Sequence, residues 1–149
     1  MRVVIQRVSA ASVSIAGNLH ASIGTGLLLL VGIHKDDSPE DALYCAGKVA
    51  GMRIFPDAAG NMNLSVREAS GAILAISQFT LFANTRKGNR PSFIEAAPPV
   101  LAVPIYDGFC NALAQVHGLE VKTGVFGANM QVALINDGPV TIILDSPRP

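Results

Sequence analysis

The chain carries little charge, few aromatic rings and almost no cysteine, and each shortage excludes something. Charged residues make up 15% of the 149 positions, against a typical share of about 25%. Half of the chain is hydrophobic, so apolar surface beyond one internal core needs covering, and a homo-oligomer interface is the simplest cover. Tryptophan is absent, and six Phe and two Tyr supply the aromatic rings. That argues against a stacking platform for single-stranded nucleic acid. Cys45 and Cys110 are far apart and show no CxxC or metal-ligand spacing, which predicts buried free thiols and a reducing compartment. Eleven basic residues balance eleven acidic ones. Net charge therefore argues for no nucleic-acid partner, although a local basic patch on a neutral protein can still hold phosphates.

Membrane signals and the common catalytic signatures are missing as well. The apolar run "GLLLLVGI" (26–33) is far too short to span a bilayer. The opening "MRVVIQRVSAASV" breaks its apolar character at Gln6 and Arg7, so no signal peptide is expected, and a soluble cytoplasmic protein is. There is no GxSxG elbow, no HExxH and no phosphate-cradling loop. No linker, repeat or low-complexity segment divides the chain, and residues 1–149 read as one domain.

What is present reads as an α+β fold with many strands and two helices. "RVVIQRVSAASVSIAG" predicts one or two strands, and "LLLLVGI" (27–33) a strand buried on both faces. "SPEDALYCAGKVAGM" carries helix signals: Ser38 to cap, Pro39 at the first position, Asp41 three after the cap, and Leu43, Ala46, Val49 and Ala50 on one face. "FPDAAGNMN" is rich in turn residues, and "AILAISQFTLF" (72–82) reads as a buried strand. Pro98-Pro99 introduce a second helix through about residue 117, with Leu101, Ile105, Phe109, Ala112, Leu113 and Val116 as its apolar stripe and Pro104 kinking or delaying its first turn. "LEVKTGVFG", "MQVALI" and "VTIILD" read as strands, and Asp137-Gly138 between the last two is a hairpin signal.

Three stretches carry candidate chemistry. In "SQFTL", Ser77, Gln78 and Thr80 interrupt an apolar strand. Such a segment either emerges into solvent or presents backbone N–H groups and a hydroxyl to a pocket. Thr80 would be a weak nucleophile without a base, whereas donors around Phe79 and Thr80 could stabilise an oxyanion. "NTRKGNRPSF" packs Arg86, Lys87 and Arg90 into five residues with no acid before Glu95, either as a solvated loop or as a phosphate contact. "NDGPVT" places Pro139 directly after a turn glycine, where a bare hairpin does not ask for it. His20, His34 and His117 are scattered and read as surface histidines.

"SQFTL" (77–81) together with "NDGPVT" (136–141) resembles the D-aminoacyl-tRNA deacylase family, once called D-tyrosyl-tRNA deacylases. "QRVSAASVSI", "RIFPDAAGNMNLSV", "NTRKGNRPSF" and "GVFGANMQVALINDGPVTIILDS" resemble it in the same order, so the likeness covers nearly the whole chain. The resemblance implies a barrel-like, mostly antiparallel or mixed sheet with two main helices, in a homodimer without metal or cofactor. It implies an editing hydrolase that cleaves the ester joining a D-amino acid to tRNA, with no membrane or DNA partner. By the same resemblance, Gly138-Pro139 has a cis peptide bond and enters the partner subunit's active site, with Asn136 in the same motif. Ser77, Gln78, Phe79 and Thr80 form the other wall. Arg7 buttresses the Gly-Pro loop, and Met130 lies close to the pocket. Arg86, Lys87 and Arg90 become phosphate contacts for tRNA. A rigid backbone wall placed where an L side chain must point excludes it, and since glycine has no side chain, glycyl-tRNA is an expected second substrate. Two mechanisms stay open: assistance by the ribose 2′-hydroxyl with backbone oxyanion donors, or attack by Thr80. A non-catalytic module for RNA ends is the alternative from another class.

Overall fold

The architecture follows from one long strand that serves two cores. The structure, a computed structural model, describes residues 1–147. β1 (Arg2–Ile15) turns through Ala16 and Gly17, both at positive φ, into β2 (Asn18–Ile23), the pairing of left-handed residues that a tight hairpin requires. β3 (Gly26–Gly32) pairs antiparallel with the first half of β1, and β6 (Ala72–Ser77) and β7 (Val121–Thr123) add in parallel beyond it. β8 (Met130–Asp145) lies antiparallel along the other edge of β1. The result is a nearly closed, barrel-like mixed sheet, in which Lys122 on β7 reaches the Ser22 carbonyl of β2 at 2.9 Å. A short ribbon, β4 (Phe55–Pro56) with β5 (Met62–Leu64), occupies the turn-rich loop.

Helices α1 (Pro39–Gly51) and α2 (Pro99–Asn111) make the two parallel crossovers and cover one face of the sheet. At the start of α1 the Ser38 N–H and hydroxyl both donate to Asp41 Oδ2, at 2.9 and 3.0 Å. The buried face of α1 is Ala42, Cys45, Ala46 and Val49, and Leu43, expected inside, is exposed. After Asn111 the second helix continues as a π-turn, Ala112–Val116. That wider turn shifts the stripe, so Leu113 stays buried while Val116 turns outward; Leu101 is also exposed. β3 is buried almost throughout, as its unbroken apolar run requires.

Two expectations are corrected. The strand expected over 72–82 ends at Ser77, because its partner β3 ends at Gly32 and the next carbonyl, that of Ile33, accepts the Ala97 N–H at 2.9 Å instead. The hairpin expected at Asp137-Gly138 does not form. The runs on either side are one strand, β8, and Asp137–Val140 bulge out opposite Arg7 alone, since Gln6 pairs Thr141 and Val8 pairs Asn136. The bulge has a packing reason. Three extra residues on β8, and one extra (Ser9) on β1, each reverse the inside–outside alternation. Val3, Ile5, Ile142 and Leu144 thereby face the helix-side core, while Val8, Ala11, Val13, Val132 and Leu134 face the second cluster with Leu74 and Ile76.

Candidate functional site

β6 delivers a polar turn to the rim of the sheet. Its last ladder bond runs from the Gln78 N–H to the Val31 carbonyl at 2.8 Å. The chain then coils into a single 3₁₀ turn, Phe79–Phe82, in which Leu81 N–H returns to the Gln78 carbonyl at 3.3 Å. Between these bonds the N–H groups of Phe79 and Thr80 have no acceptor among the described residues, as the first donors of a helical turn do not. The Gln78 side-chain amide donates to Thr80 Oγ1. No histidine or carboxylate is bonded to that hydroxyl among the described residues. Gly32 lies directly beneath: a β-carbon there would sit 3.0 Å from Leu81 Cβ and 3.2 Å from the Gln78 carbonyl oxygen.

Ser77, Gln78 and Phe79 line a cleft of about 240 Å³ together with Phe126, Met130 and Val132. The fold thus brings Met130 to the polar turn, from a position more than fifty residues away in sequence. Phe126 was not among the sequence candidates. Its only signal was an aromatic ring between two glycines, in "GVFG".

The Gly-Pro bulge is a separate construction. The Gly138–Pro139 peptide bond is cis, and Gly138 takes φ 146, in a region closed to side-chain-bearing residues. Arg7 holds the bulge from β1: Nε donates to the Asp137 carbonyl at 2.9 Å and Nη1 to the Ile54 carbonyl at 2.6 Å. Asn136 closes its neck, accepting the Val140 N–H at 2.9 Å on Oδ1 and donating from Nδ2 to Thr141 Oγ1 at 2.9 Å. Gly138 and Pro139 are exposed and line no part of the Ser77–Met130 cleft. Within one chain the two motifs are not brought together.

Next to the polar turn opens a broader groove of about 670 Å³, lined by Arg2, His34, Phe82 and Arg86 among others. His34 is no surface histidine: it is 5% exposed. Its Nδ1 accepts the Asp36 N–H at 3.2 Å and its Nε2 meets Glu95 Oε2 at 3.0 Å, while its ring packs edge-on against Phe82. Lys35 and then His34 hold the Glu95 carboxyl below its usual range. The basic segment is an exposed tip closed by paired backbone bonds between Asn84 and Ser92, at 2.7 and 3.0 Å. Arg86 borders the groove; Lys87 and Arg90 do not.

Comparison with known proteins completes the picture. A family model described as D-Tyr-tRNA(Tyr) deacylase matches residues 4–145. Proteins named D-aminoacyl-tRNA deacylase, hydrolases acting on aminoacyl-tRNA by that name, share 59% identity in Akkermansia muciniphila, 56% in Porphyromonas gingivalis and 54% in Chlorobaculum tepidum. Each alignment covers at least 98% of this chain and 97% of the relative. A solved structure described as c-Myc DNA Unwinding Element Binding Protein is 40% identical, with TM-score 0.92 over 99% of this chain and 100% of that one. Another, described as a probable eukaryotic D-amino acid tRNA deacylase, is 16% identical with TM-score 0.85, covering 97% of this chain and 98% of that one, and shares the fold. On a match that spans almost every described residue, this chain belongs to the D-Tyr-tRNA(Tyr) deacylase family.

Proposed function

We propose that the protein hydrolyses the ester bond of D-aminoacyl-tRNA in the cytoplasm, as a homodimer whose Gly138-Pro139 bulge completes the partner's cleft. The observation that carries the reading is the pair of unengaged N–H groups at Phe79 and Thr80, at the rim of a cleft lined by Met130 and Phe126. Hydrolysis of an ester places negative charge on the carbonyl oxygen, and fixed backbone donors stabilise it without reorganising. An aminoacyl ester is already activated, so orientation supplies much of the remainder. The neighbouring ribose 2′-hydroxyl assists the attacking water, which accounts for a Thr80 hydroxyl bonded to no histidine or carboxylate among the described residues. Arg86, Lys87 and Arg90 contact phosphates and position the tRNA without reading its sequence.

The cross-subunit arrangement is supported by two features. The bulge is exposed and lines no part of its own chain's cleft. β8 is a sixteen-residue edge strand with Ile135 and Ile143 exposed, a surface that an unpaired monomer would leave open to association. Held by Arg7 and Asn136, the bulge acts as a backbone wall against L side chains, so D-aminoacyl and glycyl esters are cleaved and L-aminoacyl esters are spared.

The test is turnover of matched D-, L- and glycyl-tRNA. L-esters cleaved as fast as D-esters would overturn the chiral wall, and inert glycyl esters would do the same. Thr80→Ala separates the mechanisms: a loss of about 10³-fold or more assigns the nucleophile to Thr80, and a small loss assigns catalysis to the backbone donors and the substrate.

A further inference from the structure

The aromatic poverty of the chain conceals one placed pair of rings. Phe79 of the polar turn and Phe93, just beyond the basic tip, meet edge-to-face with centroids 5.2 Å apart. Both are exposed, Phe79 by 55% and Phe93 by 37%. Large apolar rings in contact with each other and with water are an unpartnered surface, and the chemistry around them says what covers it. The tip carrying Arg86, Lys87 and Arg90 ends at the Asn84–Ser92 pairing, so Phe93 follows directly on the residue that closes the tip. None of the three cations is in an ion pair among the described residues. Three positive charges outside any ion pair stand on the tip whose closing residue, Ser92, precedes Phe93, and the other ring of the pair belongs to the turn that carries Thr80. A polyanion with flat apolar faces fits this combination, which is how single-stranded nucleic acid is held.

We infer that Phe93, packed on Phe79, is a stacking residue for a base of the single-stranded 3′ end of the tRNA, with the tip holding the adjoining phosphates. The inference rests on the proposed function for the identity of the RNA. It adds a positioning contact outside the cleft: the base stacked on Phe93 sets the ester-bearing ribose against the Phe79 and Thr80 donors. Such a contact acts on binding rather than on the chemical step. Losing one base–aromatic stack costs about 1–3 kcal/mol, and a value in the lower half of that range corresponds to roughly a tenfold rise in KM with kcat unchanged.

The experiment uses the full chain and a four-nucleotide single-stranded RNA with 2-aminopurine as its 3′-terminal base, whose fluorescence falls on stacking. Wild type and Phe93→Trp are expected to quench it. Phe93→Ala and Phe93→Leu, the latter keeping apolar bulk without a ring, are expected to lose the quench and to raise KM for D-aminoacyl-tRNA about tenfold. Absent quenching by wild type, or unchanged quenching in Phe93→Ala, would overturn the inference. So would a Phe93→Leu variant that behaves as wild type. A Phe93→Ala variant that sediments as a monomer where wild type is a dimer would overturn it too, by assigning the ring to the contact between copies. The two readings fail separately: turnover without quenching sinks this inference alone, and quenching without turnover sinks the proposed function alone.

Discussion

Removal of the Arg7 guanidinium should loosen the Gly-Pro bulge, and the structure sets the size of the effect. Arg7 spends two donors on backbone carbonyls, Ile54 at 2.6 Å in a half-buried setting and Asp137 at 2.9 Å near solvent. A hydrogen bond from a charged donor contributes about 1.5–3 kcal/mol where its partner cannot be rehydrated, and less where water replaces it. The Ile54 bond therefore contributes about 2 kcal/mol and the Asp137 bond below about 1 kcal/mol. In a domain of this size each kcal/mol moves the melting point by about 2–4 °C, so Arg7→Ala should melt about 4–12 °C below wild type. Arg7→Lys keeps the charge but not the fork, and should fall between the two. The functional consequence is separable. With Asp137 released, the wall yields, and the ratio of D- to L-aminoacyl-tRNA hydrolysis should drop at least tenfold while glycyl-tRNA turnover changes less. Melting is followed by circular dichroism, and discrimination by deacylation of matched D and L substrates. An Arg7→Ala protein with an unchanged melting point and an unchanged D/L ratio would refute the reasoning.

Two further outcomes follow from the geometry. Gly32→Ala places a β-carbon 3.0 Å from Leu81 Cβ and 3.2 Å from the Gln78 carbonyl oxygen. The polar turn must then shift by a few tenths of an ångström. Because misplacement near a reacting centre is costly, kcat should fall at least tenfold at a loss of about 1–3 kcal/mol in stability; wild-type kcat would sink the placement of catalysis at this turn. Burial pushes the Cys45 and Cys110 thiols up to about 11. Both stay protonated at pH 8, so a thiol-specific disulfide reagent should label the native protein slowly and the urea-unfolded chain at once. The sign for stability is negative with rising pH. From about pH 8.5 the unfolded chain releases protons that the folded one keeps, so stability declines from there to about pH 11. Rapid native labelling at pH 8 would contradict the burial.

Much of the fold was legible because local rules and burial agreed. β3 reads as doubly buried from its unbroken apolar run, and α1 announces itself through Ser38, Pro39 and Asp41. The failures share one cause. The end of β6 depends on where β3 stops, Val116 turns outward because a π-turn rotates it away from the core, and the Asp137-Gly138 signal was overruled by pairing with β1. None of these is encoded within a ten-residue window.

The site divides along the same line. Composition and pattern determined by themselves that the chain holds a buried α+β core with free thiols, and the polar interruption at Ser77–Thr80 marked where a strand stops serving that core. Only the tertiary structure decided what those residues do together. Met130 and Phe126 reach the polar turn because β8 and the preceding loop wrap back onto β6. The Gly-Pro segment is a bulge rather than a hairpin because β1 and β8 must each reverse their buried face to serve two cores. An odd number of inserted residues is the only way a strand with a two-residue period can do that.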